Sequence, residues 1–261
     1  MVEGGPRMAG DGAGGRAEAI WGLLAAHAAG RGAPASVADV CAVCVATVGM
    51  SGAAVTAAGK PGPGHVMCVT DEVSERLEEL QLTFGEGPCV DASADDRPVL
   101  VPDLDAADVV GRWPAFGPAA RLAGAAAMFS FPLQIGVIRV GVIDLYRRQP
   151  GPLSADQLGD ALVFADTATV LLLDRQDQAA GGGGGTGPGG QPWLLALRRA
   201  EIDQATGMLT EQLGVGIEEA FVRLRAYAYA QDRRLADVAG DLVARKLRMG
   251  PEPDPCRDGA A

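Results

Sequence analysis

Residues 179–190 read AAGGGGGTGPGG. Glycine loses more backbone freedom on ordering than any other residue, and proline cannot donate a backbone hydrogen bond. Such a run holds neither helix nor strand and reads as a flexible tether. The chain must therefore fold as separate units on either side, and 261 residues suffice for two modest ones.

The stretch after the tether is the more readable. From Trp193 to Met249 it breaks into three apolar-periodic segments joined by short polar turns. Leu195, Ile202 and Leu209 fall seven apart, a spacing that suits a helix packed against another helix. In the second segment Ile217, Ala220, Phe221, Leu224 and Ala228 recur at helical spacing, and in the third Leu235, Val238, Ala239, Leu242 and Val243 do so. Gly214 and Gly216 separate the first two helices, with Gly216 as N-cap, and Asp232 is the expected cap of the third.

These residues resemble the ANTAR domain, a three-helix RNA-binding antiterminator module. The likeness rests on Gln204-Ala205-Thr206-Gly207-Met208, Gly214-Val215, Glu218-Glu219-Ala220-Phe221, Leu224-Arg225, Ala228 and Ala236-Asp237-Val238-Ala239. Many members of that family carry lysine where this chain has Thr206, so one phosphate-seeking charge is missing. The resemblance implies an RNA partner, a paired-hairpin leader or terminator region. Gln204, Thr206, Gly207, Arg225 and Tyr227 are the candidate contacts. A tyrosine can stack on an unpaired base and an arginine can hold a phosphate. Arg223, Arg233 and Arg234 read as solvated surface arginines.

Charge neither drives nor forbids this. The chain carries a net charge of −11, but residues 191–250 hold nine Lys+Arg against eight Asp+Glu, so that module stands at +1 and the remainder at −12. RNA contact must then come from local arginines rather than from a global field.

Before the tether, 17–29 and the segment after Ser36 read as helices. Their stripes are Ile20, Leu23, Leu24 and His27, then Val37, Val40, Cys41, Cys44, Val45 and Val48. Short strands follow at GAAVTAA and HVMCVTD, with a turn at GKPGPG. A helix spans 72–82, the stretch TFGEGPCVDA is a loop, and a strand lies at PVLVPDL. Helical pieces then run to Ala123, and AAAMFSFPLQ and VIRVGVIDLYRR form a hairpin. Ser154 caps a long helix to about Gln178, with Leu158, Ala161, Leu162, Ala165, Ala168 and Leu172 as its apolar positions. This order resembles a GAF domain, and GAF–ANTAR chains are a known actinobacterial arrangement.

The expected fold class is α+β: a GAF-like antiparallel sheet flanked by helices, followed by a three-helix ANTAR-like module. The expected boundaries are a disordered arm at 1–16, a sensor at 17–178, a linker at 179–191, the RNA-binding domain at 192–249 and a disordered tail at 250–261. The resemblance implies a transcription antitermination regulator acting as a homodimer. The two alternatives are a ligand- or redox-sensing interaction protein without RNA binding and a DNA-binding helix-turn-helix regulator, against which the YAQDRR turn reads as long.

No apolar run is long enough to span a bilayer and no signal-peptide core opens the chain, so no membrane partner and a cytoplasmic location are expected. No enzyme is expected: there is no nucleophile elbow, phosphate loop or metal–carboxylate cluster, and only two histidines. Cys41-x2-Cys44 with His65-x2-Cys68 has zinc-like spacing, yet both helical cysteines sit on an apolar stripe, so they read as core and no metal is assigned. Cys89 is expected to line the core, its pKa raised by Glu86 and Asp91. No cofactor is identifiable. The GAF family's nucleotide signature needs an asparagine and this chain has none; neither His27 nor His65 has a haem motif, and the bilin Cys-His pair is absent. A small ligand in a sheet-lined pocket is what the resemblance leaves.

Limited proteolysis is expected to cut between Gln178 and Gln191 and release two folded pieces. A single protected fragment across the glycine run would contradict the two-domain reading.

Overall fold

The computed structural model describes residues 11–59, 64–180 and 192–250. The rest of the expected N-terminal arm, most of the turn at 59–64, the glycine run and the tail from 251 lie outside the described residues. The chain separates into two compact units, Met1–Gly189 and Gly190–Ala261.

The first unit is built on a five-stranded antiparallel sheet. Its strands are β1 (Gly52–Ala57), β2 (His65–Val69), β3 (Val99–Val101), β4 (Ala127–Ile135) and β5 (Ile138–Arg147), ordered β2-β1-β5-β4-β3. The β4–β5 hairpin turns through Gly136 and Val137, with Ile135 paired to Ile138 and Gly136 at φ 58°. That left-handed backbone is what a tight hairpin requires. β3 is shorter than expected, because Pro98 and Pro102 bracket it and cannot donate to a ladder. Pro132 sits inside β4 without harm, since β3 pairs only with Met128–Ser130 and leaves that edge of β4 open.

Both faces of the sheet are covered. On one lie α1 (Asp11–Arg31), α2 (Val37–Val48) and α7 (Ala155–Ala180). Their side of the core gathers Leu24, Val40, Cys41, Cys44 and Phe164 against Val55, Phe129, Phe131, Ile143 and Leu145. On the other lie α3 (Glu72–Phe84), α4 (Pro88–Asp95), α5 (Ala107–Arg112) and α6 (Phe116–Ala123). There Leu77, Leu80, Trp113 and Phe116 pack on Met128, Val142 and Tyr146. A strand buried on both faces has no polar side to show, which is why β4 and β5 read as nearly continuous apolar runs. A register shift after Leu133 adds Val140 as an extra residue, which joins the same core as Ile143 despite the odd spacing.

Several local expectations are corrected. α1 begins at Asp11, inside the arm expected to be disordered, and its buried stripe is Ile20, Leu24 and Ala28; Leu23 and His27 face outward. Leu162 on α7 is likewise exposed. The stretch TFGEGPCVDA is not a loop. Gly85 (φ 66°) ends α3, Gly87 (φ 126°) opens α4, and Pro88 takes the first helical position, where a missing N–H costs nothing. A Cβ on Gly87 would lie 2.6 Å from Oε1 of Gln81.

Asp39 ties α1 to α2. It is buried; its Oδ2 accepts from the backbone N–H (2.8 Å) and hydroxyl (2.7 Å) of Ser36, and its Oδ1 lies 2.8 Å from Nδ1 of His27 and 2.9 Å from Nε of Arg31. Burial alone would raise this carboxyl, but the donors from Ser36, His27 and Arg31 outweigh it and hold it below the usual carboxylate range. A lowered folded-state pKa means stability present above the unfolded value, about 3.9, and lost as pH falls through the folded value. Asp39→Asn should cost about 1–3 kcal/mol at neutral pH. The gap to wild type should narrow as pH drops below about 4, measured by urea unfolding across pH.

The second unit consists of α8 (Pro192–Leu213), α9 (Ile217–Ala230) and α10 (Leu235–Val243). Gly214 at φ 66° closes α8, its N–H donating to the Thr210 carbonyl at 2.9 Å, and Gly216 is the N-cap of α9. The N-cap of α10 is Arg234 rather than Asp232, which instead takes a left-handed conformation (φ 49°) within the four-residue turn.

Candidate functional site

The three helices of the second unit close over Ile202, Ala205, Leu209, Ala220, Phe221, Leu224, Ala228, Leu235, Val238, Ala239 and Leu242. Ile217, expected in that stripe, is 53% exposed at the first turn of α9. Of the candidate contacts, Gln204 and Gly207 lie one turn apart on α8, Gln204 exposed and Gly207 half-buried. A Cβ on Gly207 would meet nothing within 4 Å, so packing does not demand glycine there. Thr206 belongs elsewhere. It is buried, and its hydroxyl donates to the Ile202 carbonyl at 2.7 Å, so it contributes to the bundle core.

Arg225 is half-buried, with its Cζ 5.7 Å from the centre of the Phe221 ring. Burial lowers its pKa from the ordinary arginine value, though it stays charged at any working pH. At 100° per residue, Glu218, Val222, Arg225 and Tyr229 fall on one stripe of α9. Val222 (57%) and Tyr229 (59%) are both exposed. Tyr227 is rotated about 200° from Arg225, so the tyrosine beside the arginine is Tyr229 and not the expected Tyr227. Arg223 pairs with Glu219 at 2.7 Å, and Arg233 with Asp241 at 2.6 Å. α10 carries Asp237 and Asp241 and no lysine or arginine.

The first unit holds a second constellation. On the face under α3 and α4, Asp144 of β5 stands opposite Ser130 of β4, whose hydroxyl donates to Asp144 Oδ1. Gln81 of α3 donates through Nε2 to Asp144 Oδ2 at 3.1 Å and accepts from the Cys89 N–H at 2.7 Å. Thr56 of β1 donates to Glu78 Oε2 at 2.7 Å. Glu78, Gln81, Ser130 and Asp144 are all buried. Burial raises both carboxyls, Glu78 the more because it also faces Asp144 and bonds to it. Burial also pushes the Cys89 thiol well up, with Asp144 and Glu78 adding to it. The expected neighbours act elsewhere: Glu86 accepts from the N–H groups of Ala115 (3.0 Å) and Phe116 (3.2 Å), and Asp91 pairs with Arg112 (2.7 Å).

Neither spacing nor motif marks Glu78, Gln81, Ser130 or Asp144. The signal was a lone polar residue inside each of two apolar strands, FSF and VIDLY. Cys41, Cys44 and Cys68 lie across the sheet in the other core, and burial raises the Cys44 thiol beyond the titratable range. A cleft of about 390 Å³ opens not within the sheet but at its β3 edge, where Arg97, Leu100, Asp103, Val109, Arg112 and Trp113 line it.

Residues 196–243 match the ANTAR domain. The second unit thus carries the ANTAR match, and the first is a five-stranded antiparallel sheet covered by helices. The first unit is similar to the GAF domain of a phosphoenolpyruvate-protein phosphotransferase from Coxiella burnetii (13% identity, TM-score 0.49, covering 63% of this chain and 98% of that one). It is also similar to the GAF domain of the corresponding Acinetobacter protein (10%, TM-score 0.46, 64% and 97%) and to the GAF-B domain of DevS from Mycobacterium smegmatis (19%, TM-score 0.40, 55% and 95%). No curated protein matches the chain. Among the described residues, no helix is long and apolar enough to cross a membrane.

Gln81→Leu would strip bonds from Asp144 and the Cys89 N–H at once. Leaving buried polar groups unmatched should cost about 1–3 kcal/mol, read from urea unfolding of the full chain.

Proposed function

We propose that the chain is an RNA-binding transcription antitermination regulator, in which the GAF-like domain senses a signal and the ANTAR domain holds a paired-hairpin RNA so that a terminator cannot form. The ANTAR match over residues 196–243 carries this reading. The surface of α9 supports it. Arg225 lies between exposed Val222 and Tyr229, which places a cation, an apolar side chain and an aromatic ring side by side. Loop bases splayed from a hairpin are gripped by stacking and apolar contact, and their phosphates by arginine. Gln204 supplies an amide for a base edge, and bare Gly207 lets an RNA backbone approach α8 closely. Two modules in a homodimer would hold two hairpins, each raising the effective concentration of the other.

The helix-turn-helix alternative is not excluded by loop length, since the α9–α10 turn is only four residues. The charge on α10 disfavours it: as a recognition helix it would present Asp237 and Asp241 to duplex DNA.

Arg225→Ala should weaken binding of labelled hairpin RNA by about 1–3 kcal/mol, roughly five- to hundred-fold, at fixed salt. Because the guanidinium stacks on Phe221, a small fall in thermal stability should accompany it, and Arg225→Lys should restore charge without the stacking. Lys246→Ala, beyond the end of α10, is the control. Equal affinity of wild type and Arg225→Ala would remove Arg225 from the site. Failure of wild type to bind any paired-hairpin RNA would favour a sensing protein without RNA binding.

A further inference from the structure

The constellation under α3 and α4 contains three metal-ligating groups of different kinds, from three separate elements. One oxygen each of Glu78 and Asp144 and the sulfur of Cys89 lie within 4.8 Å of one another. Ligands held at about 2.0–2.3 Å around a tetrahedral ion stand roughly 3.3–3.8 Å apart, so the three need close by no more than about 1.5 Å. A gap too narrow for water adjoins Glu78 and Asp144, walled by Ala54, Ser74, Leu77 and Tyr146. From this arrangement we infer that Glu78, Cys89 and Asp144 form a binding site for a thiophilic divalent cation of the zinc class.

The chemistry of the donors selects the ion. A thiolate is a soft ligand that favours zinc-class metals over magnesium or calcium, while two carboxylates supply the remaining charge. Glu78 and Cys89 bind such an ion as anions, so any protons they hold pass to solvent on binding. The partners of the two carboxyls are Thr56, Ser130, Gln81 and Cys89, none of them cationic, so no ammonium or guanidinium competes for the position.

The outer groups are already in place. Thr56 holds the outer oxygen of Glu78, Ser130 and Gln81 hold Asp144, and the Gln81 carbonyl fixes the backbone of Cys89. Bonds of this kind orient ligands for a metal. Three protein ligands leave a fourth position for water or an exogenous donor. Coordination would clamp α3 and α4 onto β5, the central strand of the sheet, and that gives the GAF-like domain a chemical input. This site does not depend on the RNA reading.

The test is titration of the full-length reduced chain with Co²⁺ and with Zn²⁺. One ion per chain is expected, with a thiolate-to-Co²⁺ charge-transfer band in the near ultraviolet. Cys89→Ser should abolish the band, and Glu78→Gln should lower affinity by more than about tenfold. Cys256→Ser, in the tail, should bind as wild type does. No stoichiometric ion in wild type would overturn the site, as would a charge-transfer band that survives in Cys89→Ser. Should those variants fail to fold, wild type still decides, since Co²⁺ bound without a thiolate band contradicts the site.

Discussion

Burial of β4 and β5 on both faces is the constraint from which most of the first unit follows. Between two helical layers these strands have no solvent side, so each polar atom on them needs a protein partner. Asp144 is the severe case, because an isolated carboxylate in such surroundings is costly enough to be neutralised instead. Ser130 opposite it and Gln81 above it meet that demand. The match also fixes register. A one-residue slip of β5 would turn Asp144 into the opposite core, among Phe131, Phe164 and Leu172, where it would find no donor. Gln81 carries the same constraint outward, since it must sit over Asp144 while accepting from the Cys89 N–H. Thus one buried acid sets the pairing of two strands and the seats of α3 and α4.

That constraint also shows what could be read from the residues alone. Periodicity works for a helix lying on a core, and it located α2, α3, α7, α9 and α10. It over-assigns in alanine-rich helices, where the truly buried stripe is narrow. Leu23, Leu162 and Ile217 share a helical spacing with buried neighbours and still face outward. It fails differently in a doubly covered sheet, where runs such as AMFSFPL give the strand but not which face each residue takes. Glycine density misled at 83–92, because two of those glycines cap successive helices rather than open a loop. Glu78, Cys89 and Asp144 are 11 and 55 residues apart in order, so only the fold brings them together.

The second unit was more legible because short helices with small caps leave few alternatives. Even so, its candidate surface came from resemblance, and geometry redistributed it. Thr206 faces the core, so a longer side chain at that position would have to run along the bundle before reaching water, as lysine can. Tyr229, not Tyr227, shares the stripe of Arg225. Arg223 within α9 and Arg233 in the α9–α10 turn are spent on Glu219 and Asp241, in a module whose nine cationic residues already face eight acidic ones.

Arg225 serves the bundle first. Its stem and guanidinium cover Phe221, which is 9% exposed, so the arginine completes the apolar core of the bundle. Half-burial lowers the number of waters around the cation, and its pKa falls accordingly, yet arginine alone among the basic side chains keeps its charge under that treatment. A partly dehydrated cation has less hydration to shed when a phosphate approaches, and the ring beneath holds its plane in place. The free energy spent in ordering it is spent on folding, so an arginine held this way loses little further freedom in any later contact. In an otherwise near-neutral module attached to an acidic domain, one pre-placed arginine between an apolar and an aromatic neighbour can act where a diffuse basic field cannot.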